Sequence, residues 1–151
     1  MADQERVHIK LGLSGTYWDK KPQYRVSVND QVYADAFISG TRDEVEYVEF
    51  DVEYDTESTV LKIELLNKLP EDTKKDNYED PDNYKIIDDM MLNIVSVEID
   101  EINLNQIPFN LSEYRPLGRD DVVKNCVNLG WNGAWTLTWT NPFYIWLLES
   151  M

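Results

Sequence analysis

Cysteine, histidine and glycine are all scarce in this chain of 151 residues. Cys126 is the only cysteine, so no disulfide can form within the chain, and His8 is the only histidine. The chain therefore lacks the ligands of the usual zinc sites, and it has a single imidazole that could serve as a catalytic base. Its six glycines do not occur in the spacings that bind phosphate groups. From these absences we predict that the protein is not an enzyme.

Positive charge is also scarce, because 14 Lys and Arg face 29 Asp and Glu, which gives a formal net charge of −15. Nucleic-acid binding and attraction to anionic membranes both depend on an excess of Lys and Arg. The longest apolar run, residues 143–148, is too short to span a bilayer. Residues 1–6 lack the basic and apolar runs of a signal peptide. We therefore predict a soluble protein with no nucleic-acid partner and no membrane partner.

Long stretches of helical periodicity are missing, and alternation of apolar and polar residues dominates instead. The clearest case is residues 44–54, where Val48, Phe50 and Val52 alternate with acidic side chains. Strands are predicted at residues 7–11, 24–28, 31–33, 44–54, 60–66, 90–100, 135–139 and 143–148. About eight strands with turns between them predict an all-β protein, an antiparallel β-sandwich of jelly-roll type that forms a single domain over residues 1–151.

The C-terminal part of the chain is less regular. Residues 108–133 are predicted to form an ordered, irregular loop over one end of the core, with a short helix at residues 120–125 that two aspartates would favour at its start. After one more strand and an Asn-Pro turn, residues 143–148 predict a last strand that is apolar on both faces. Such a strand is either central in the sheet or covered by a partner.

A polar insertion loop at residues 67–89 separates two of the predicted strands. Four lysines oppose eight carboxylates there, namely Glu71, Asp72, Asp76, Glu79, Asp80, Asp82, Asp88 and Asp89. Calcium favours oxygen ligands, so two strands that hold such a loop suggest a calcium site. The alternative is a solvated acidic insertion that binds no ligand.

The candidate calcium ligands are Asn67, Asp72, Asp88 and Asp89, because they lie near the strand ends, where the backbone is fixed. The spacing of an EF-hand loop is missing, so the ligands of a calcium ion would come from several loops and from backbone carbonyl groups.

Aromatic residues suggest a second kind of site, because sugar binding usually needs an exposed aromatic platform. Trp18, Tyr78 and Tyr84 lie in predicted loops and are the candidate ligand-binding residues. The alternative for each of them is an anchor that packs a loop onto the core.

Several short motifs occur in a distinctive order. An opening Ile-x-Leu strand is followed by Pro22-x-Tyr24-x-Val26-x-Val28-Asn29-Asp30, then by Leu61-x-Ile63-x-Leu65-Leu66-Asn67, and beyond the insertion by the run of residues 89–100. This order resembles the calcium-dependent xylan-binding carbohydrate-binding modules, over residues 7–105. The resemblance implies a β-sandwich in which calcium at the insertion meets the hydroxyl groups of a bound sugar.

The sequence also departs from that family. Lys68 stands where the family has aspartate, Met90 and Met91 replace Arg-Asn, and Glu101 replaces the final glycine. Asp89 can keep a metal role despite these changes. The fold can be kept while the site is reassigned or lost.

The segment at residues 125–148 has a likeness of its own. Its runs Asn-Leu-Gly-Trp-Asn-Gly-Ala-Trp and Asn-Pro-Phe-Tyr-Ile-Trp-Leu-Leu-Glu resemble small virion structural proteins of T4-like marine phages. This likeness implies that the last strand docks against another virion protein or a second copy of the chain.

The favoured prediction is a non-catalytic binding or structural module of a phage virion (capsid, neck or tail) with a possible calcium site. The alternative is a working calcium-dependent carbohydrate-binding module that recognises a polysaccharide outside the cell. A hydrolase that uses two carboxylates is a distant third.

Overall fold

Antiparallel strands dominate the protein, whose computed structural model describes residues 5–40, 44–54, 57–76, 82, 85–104, 107–118 and 120–150. The strands are β1 (Glu5–Thr16), β2 (Gln23–Val28), β3 (Gln31–Phe37), β4 (Glu46–Tyr54), β5 (Ser58–Leu65), β6 (Lys74–Lys75), β7 (Ile86–Asp88), β8 (Met91–Ile99), β9 (Ile102–Asn103), β10 (Glu113–Pro116), β11 (Val123–Lys124), β12 (Asn128–Leu129) and β13 (Gly133–Thr140). The helices are α1 (Ile107–Leu111) and α2 (Phe143–Ser150), and Pro70–Asp72 form a 3-10 turn.

The strands form two large sheets and one small hairpin. The first sheet has the order β12-β8-β1-β4, with β9 beside β8, and the second has the order β11-β10-β13-β5-β2-β3. Strands β6 and β7 pair with each other, within the predicted insertion. Side chains of both large sheets belong to one buried cluster, so the sheets face each other. The prediction of an all-β antiparallel sandwich is confirmed.

The alternation read from the sequence accounts for the core. On β1, Ile9 and Leu11 are fully buried, and on β13 Trp135, Leu137 and Trp139 are fully buried as well. Burial of each such side chain stabilises the folded chain by about 1.5–3 kcal/mol. The sandwich therefore depends mainly on the inward faces of a few alternating strands.

The hairpin of β2 and β3 turns at Asn29 and Asp30. Both residues have left-handed backbone angles, with φ of 49° and 67°, which suits the tight two-residue turn of a hairpin. The side chain of Asn29 accepts a hydrogen bond from the backbone N–H of Val60 at 2.9 Å, so the turn is also tied to β5.

The predicted irregular loop at residues 108–133 contains more regular structure than expected. It includes most of α1 and all of β10, β11 and β12. The predicted short helix at residues 120–125 is wrong, because Val123 and Lys124 form β11 and pair with β10. These strands have two to four residues, which is too short for an alternating pattern to identify them.

The predicted last strand, residues 143–148, is also wrong, because this segment lies within helix α2. Phe143 is buried, Trp146 and Leu147 pack against the core, and Ile145 is exposed. This spacing of three and four residues is that of a helix. Strand β13 pairs with β10 on one side and β5 on the other, so neither of its edges is free for a strand that follows it directly.

Helix α2 leaves one apolar face outside the core. Tyr144, Ile145 and Leu148 are each more than half exposed. The C-terminal segment that is predicted to contact a partner is therefore a helix, and this exposed face is the part of it that a partner could contact. Among the described residues, no helix has both the length and the apolar character that crossing a bilayer requires.

Truncating the buried side of α2 should destabilise the protein. Phe143 packs edge-on against Trp139 with ring centroids 5.9 Å apart, so Phe143→Ala should lower the free energy of unfolding by about 3–5 kcal/mol. The exposed Ile145→Ala should change it by less than about 0.5 kcal/mol. Urea unfolding followed by circular dichroism measures both values. Equal losses in the two variants would contradict the helical arrangement, because only a strand places both side chains on one face.

Candidate functional site at the loop end of the sandwich

Three loops meet at one end of the sandwich, which we call the loop end and define as residues 17–22, 66–76, 85–90 and 130–132. The indole N–H of Trp18 donates to the backbone carbonyl of Asp72 at 2.8 Å and so joins the first loop to the insertion. All four predicted calcium ligands and one of the three predicted aromatic residues lie within these segments.

Asn67 holds the end of β5 against the start of β2. Its side-chain oxygen accepts a hydrogen bond from the N–H of Gln23 at 2.8 Å, and its amide nitrogen donates to the carbonyl of Lys21 at 3.0 Å. Both polar atoms of the side chain are therefore engaged with backbone. This geometry makes Asn67 a structural connector between neighbouring strands.

Lys68 is the most unusual residue of the loop end, because its side chain is only 2% exposed. Its ammonium group donates to Asp89 Oδ1 and to the carbonyl oxygen of Gly130, both at 2.6 Å. Its backbone N–H and carbonyl are both bound by the side-chain amide of Asn132, each at 2.7 Å. Lys68 thus ties the insertion to the loop between β12 and β13.

Asp89 is the partner of that ammonium group. The same oxygen, Oδ1, also accepts from the hydroxyl of Thr73 at 2.7 Å and from the N–H of Met90 at 2.8 Å. Burial by itself would raise the pKa of Asp89, but the hydrogen bonds from Lys68, Thr73 and Met90 outweigh it and leave the pKa below its usual value. Asp89 is therefore held as a carboxylate by its neighbours.

Asp72 is bound in a similar way by a different lysine. Its Oδ2 lies 2.7 Å from the Nζ of Lys20 and accepts a hydrogen bond from the N–H of Leu69 at 2.8 Å. Burial raises the pKa of Asp72, while the bonds from Lys20 and Leu69 and the charge of Lys68 lower it, and the net result is a lowered pKa. The carboxylate thus closes the 3-10 turn and anchors the loop that carries Lys20.

Asp88 differs from the other predicted ligands because it is exposed at the end of β7. It pairs in register with Lys74 of β6.

The donors that surround these carboxylates do not fit a calcium ion. Calcium requires six to eight oxygen ligands, but the bonding oxygens of Asp72 and Asp89 already accept from lysine ammonium groups. Within the described ranges, no three side chains of His, Cys, Asp or Glu are grouped closely enough to hold a metal ion. This arrangement does not support calcium binding by Asn67, Asp72, Asp88 and Asp89, which stays an untested prediction.

Trp18 is the described member of the predicted aromatic set, and it is 42% exposed. Its indole N–H is fixed by Asp72, and the ammonium of Lys74 lies over its ring, 5.4 Å from the centroid. The two other candidates, Tyr78 and Tyr84, lie outside the described residues.

Sequence reasoning missed Lys20, Lys68 and Thr73 as residues that organise the site. A signal for Lys68 was present, because it is the one charged residue in the run Leu-Leu-Asn-Lys-Leu-Pro that leads out of β5. The partners of Lys20 could not be read in this way, since it lies 52 positions from Asp72 in the chain.

The groups that could serve in nucleophilic catalysis lie in separate places. His8 is on the outer face of the first sheet, with Nδ1 2.9 Å from Asp51, and that hydrogen bond raises the pKa of the imidazole. Cys126 donates from Sγ to the carbonyl of Asn128 at 3.0 Å, and burial raises the pKa of its thiol. Neither group contacts the other or the loop end through the bonds described.

No family model and no curated protein sequence matches the chain. Two solved structures resemble its fold. The structure of vCBM60 in complex with galactobiose is 9% identical with a TM-score of 0.53, and the match covers 86% of this chain and 96% of that one. A selenomethionine form of vCBM60 is 7% identical with a TM-score of 0.51, and the match covers 87% of this chain and 89% of that one.

The second structure is described together with an evolutionary link, by circular permutation, between two families of calcium-dependent carbohydrate-binding modules. The predicted likeness to calcium-dependent carbohydrate-binding modules is therefore confirmed for the fold. The likeness of residues 125–148 to virion proteins has no support from these comparisons and stays a prediction.

The lowered pKa values of Asp72 and Asp89 predict a loss of stability in acid. Both carboxylates stabilise the fold above about pH 4, the ordinary pKa of an unfolded aspartate, and the contribution is lost as the pH falls through the lowered folded-state values. The variant Asp89→Asn should be less stable at neutral pH and should lose less stability below about pH 4. Urea unfolding at a series of pH values measures this.

Glu71→Gln is the matched control, because it removes an exposed carboxylate of the same loop. Its free energy of unfolding should fall with decreasing pH as steeply as that of the unaltered protein. Parallel curves for Asp89→Asn and the unaltered protein would contradict the role given to Asp89.

Proposed function

We propose that this protein is a non-catalytic glycan-binding module that binds sugar at the loop end, with Trp18 as the aromatic platform. The observation that carries the proposal is the placement of Trp18, which is 42% exposed although its N–H is fixed by Asp72. A ring that is held in place and exposed suits a ligand, because sites for small molecules combine aromatic surface with a few fixed polar groups. The fold likeness to vCBM60, which was solved with galactobiose, supports the same proposal.

The polar groups around Trp18 fit the hydroxyl groups of a sugar. Lys74 brings a donor over the ring, 5.4 Å from its centroid, and Asp72 lies on the 3-10 turn to which the indole is bound. A sugar hydroxyl accepts as well as donates, so it can bind the ammonium group of Lys74.

Electrostatics support a non-catalytic role. Glycoside hydrolysis uses a pair of carboxyl groups, one of which has a raised pKa so that it can give up a proton. The pKa values of Asp72 and Asp89 are both lowered, and each carboxylate is paired with a lysine. Neither is suited to act as the acid.

A calcium-dependent form of this function would use the predicted ligands Asn67, Asp72, Asp88 and Asp89. It requires Lys20 and Lys68 to leave the carboxylates that they bind here. The position of those lysines favours the form of the proposal without calcium.

Removing the platform should abolish or strongly weaken sugar binding. A screen of galactobiose, xylo-oligosaccharides and a glycan microarray should identify a ligand. Trp18→Ala should then weaken the binding of that ligand by about tenfold or more, as measured by isothermal titration calorimetry. Tyr47→Ala is the matched control, because Tyr47 is 59% exposed and has the ammonium of Lys10 4.6 Å from its ring centroid. It should bind like the unaltered protein.

Two results would contradict the proposal. One is the absence of any bound glycan on the array. The other is unchanged affinity of a folded Trp18→Ala variant, with the melting temperature serving as the check on folding.

An assembly role, which the sequence likeness suggests for a phage virion, is the second candidate, and one observation favours a contact surface on this protein. Helix α2 exposes Ile145 and Leu148, at 54% and 73%, on a surface that would be covered in an assembly. If a second copy of the chain covers it, sedimentation should detect a dimer that Leu148→Glu converts to monomer. A monomer at every concentration would remove self-association through α2.

A further inference from the structure

Lys68 carries a buried positive charge, and the free energy that its ammonium group loses by leaving water must be offset by nearby oxygen atoms. Its side chain is 2% exposed, and an ammonium group taken out of water is strongly destabilised unless oxygen atoms satisfy it. The carboxylate of Asp89 and the carbonyl of Gly130, both at 2.6 Å, supply those oxygens. A carboxylate and a backbone carbonyl are also ligands that a hard metal ion accepts.

We infer that the ammonium group of Lys68 takes the place of a bound cation at the loop end, so that these loops are organised without a divalent metal. The contacts of Lys68 join the three segments that a shared cation would join. Its Nζ links the insertion to the loop before β13. Asp89 in turn accepts a hydrogen bond from Thr73, the residue that directly follows the 3-10 turn. One internal positive charge therefore fixes the ends of the insertion.

The other candidate ligands agree with this assignment. Asn67 uses its oxygen and nitrogen on backbone groups of Gln23 and Lys21, and Asp72 is neutralised by Lys20. A dication at Asp89 would also lie within a few ångströms of the Lys68 ammonium, where like charges repel strongly. The sequence feature responsible is a single lysine directly after Asn67.

Metal independence is tested first on the unaltered protein. Its melting temperature should be the same, within error, in EDTA, in millimolar magnesium and in millimolar calcium at one ionic strength. Magnesium is the matched dication, since it screens the net charge of −15 without satisfying a site built for calcium. A rise that calcium produces and magnesium does not, and that Asp89→Ala abolishes, would overturn the inference.

A charge reversal tests whether the ammonium stands where a cation would bind. Lys68→Asp should melt at a lower temperature in EDTA and should gain a calcium-specific rise, because it adds a carboxylate beside Asp89 and Gly130. Lys85→Asp makes the same change on an exposed side chain of the loop end and should gain none. A folded Lys68→Asp variant without a calcium response would overturn the inference.

If Lys68→Asp does not fold, the measurement on the unaltered protein still decides metal independence. Lys68→Met then serves as the second variant, and it should melt at a lower temperature than the unaltered protein in EDTA, because Asp89 and Gly130 lose the ammonium group that they bind. A folded Lys68→Met variant with an unchanged melting temperature would overturn the inference. None of these measurements uses a sugar. Failure of the inference and failure of the proposed glycan binding are therefore separate results.

Discussion

The ion pair between Lys68 and Asp89 is the contact on which the loop end depends. A buried ammonium is tolerated only when oxygen atoms surround it, so the loops that supply those oxygens must close together. Asp89 fixes one end of the insertion and Lys68 the other, 21 residues apart, while Gly130 comes from a third segment. The position of Trp18 follows from this arrangement, because its indole binds the turn that lies between the two ends.

The fold could be predicted where one face of a strand is buried and the other is in water. Strands β1, β4 and β13 have this pattern. The structure buries the expected faces of β1 and β13, and on β4 it buries Val52 and leaves Val48 and Phe50 partly buried against the core. Residues 143–148 could not be assigned in the same way, because a short apolar run is compatible with a buried strand and with a helix. The deciding fact is that β13 has a neighbour on each side, and sheet order of that kind cannot be read from the local pattern.

The positions of the candidate residues in the fold were easier to predict than their contacts. Positions at strand ends singled out Asn67, Asp72, Asp88 and Asp89, and all four lie at the loop end. A count of carboxylates, however, says nothing about which cations face them. Lys20 reaches Asp72 from a loop that is distant in sequence, and Lys68 reaches Asp89 from the other end of the same insertion. These two ion pairs neutralise two of the carboxylates that the sequence suggests as metal ligands.

The comparison with vCBM60 separates what a fold requires from what a site requires. The sandwich needs only alternating apolar positions, which many sequences supply, so two chains that are 9% identical can share it. The loop end depends on a few side chains, so a single substitution can change which group holds its loops together. The stabilisation that a bound metal ion gives rises with the logarithm of its concentration relative to its dissociation constant, and it vanishes when the ion is scarce. An ammonium that is covalently attached to the chain does not dissociate, so the role inferred for Lys68 implies a loop whose shape does not depend on the calcium concentration around it.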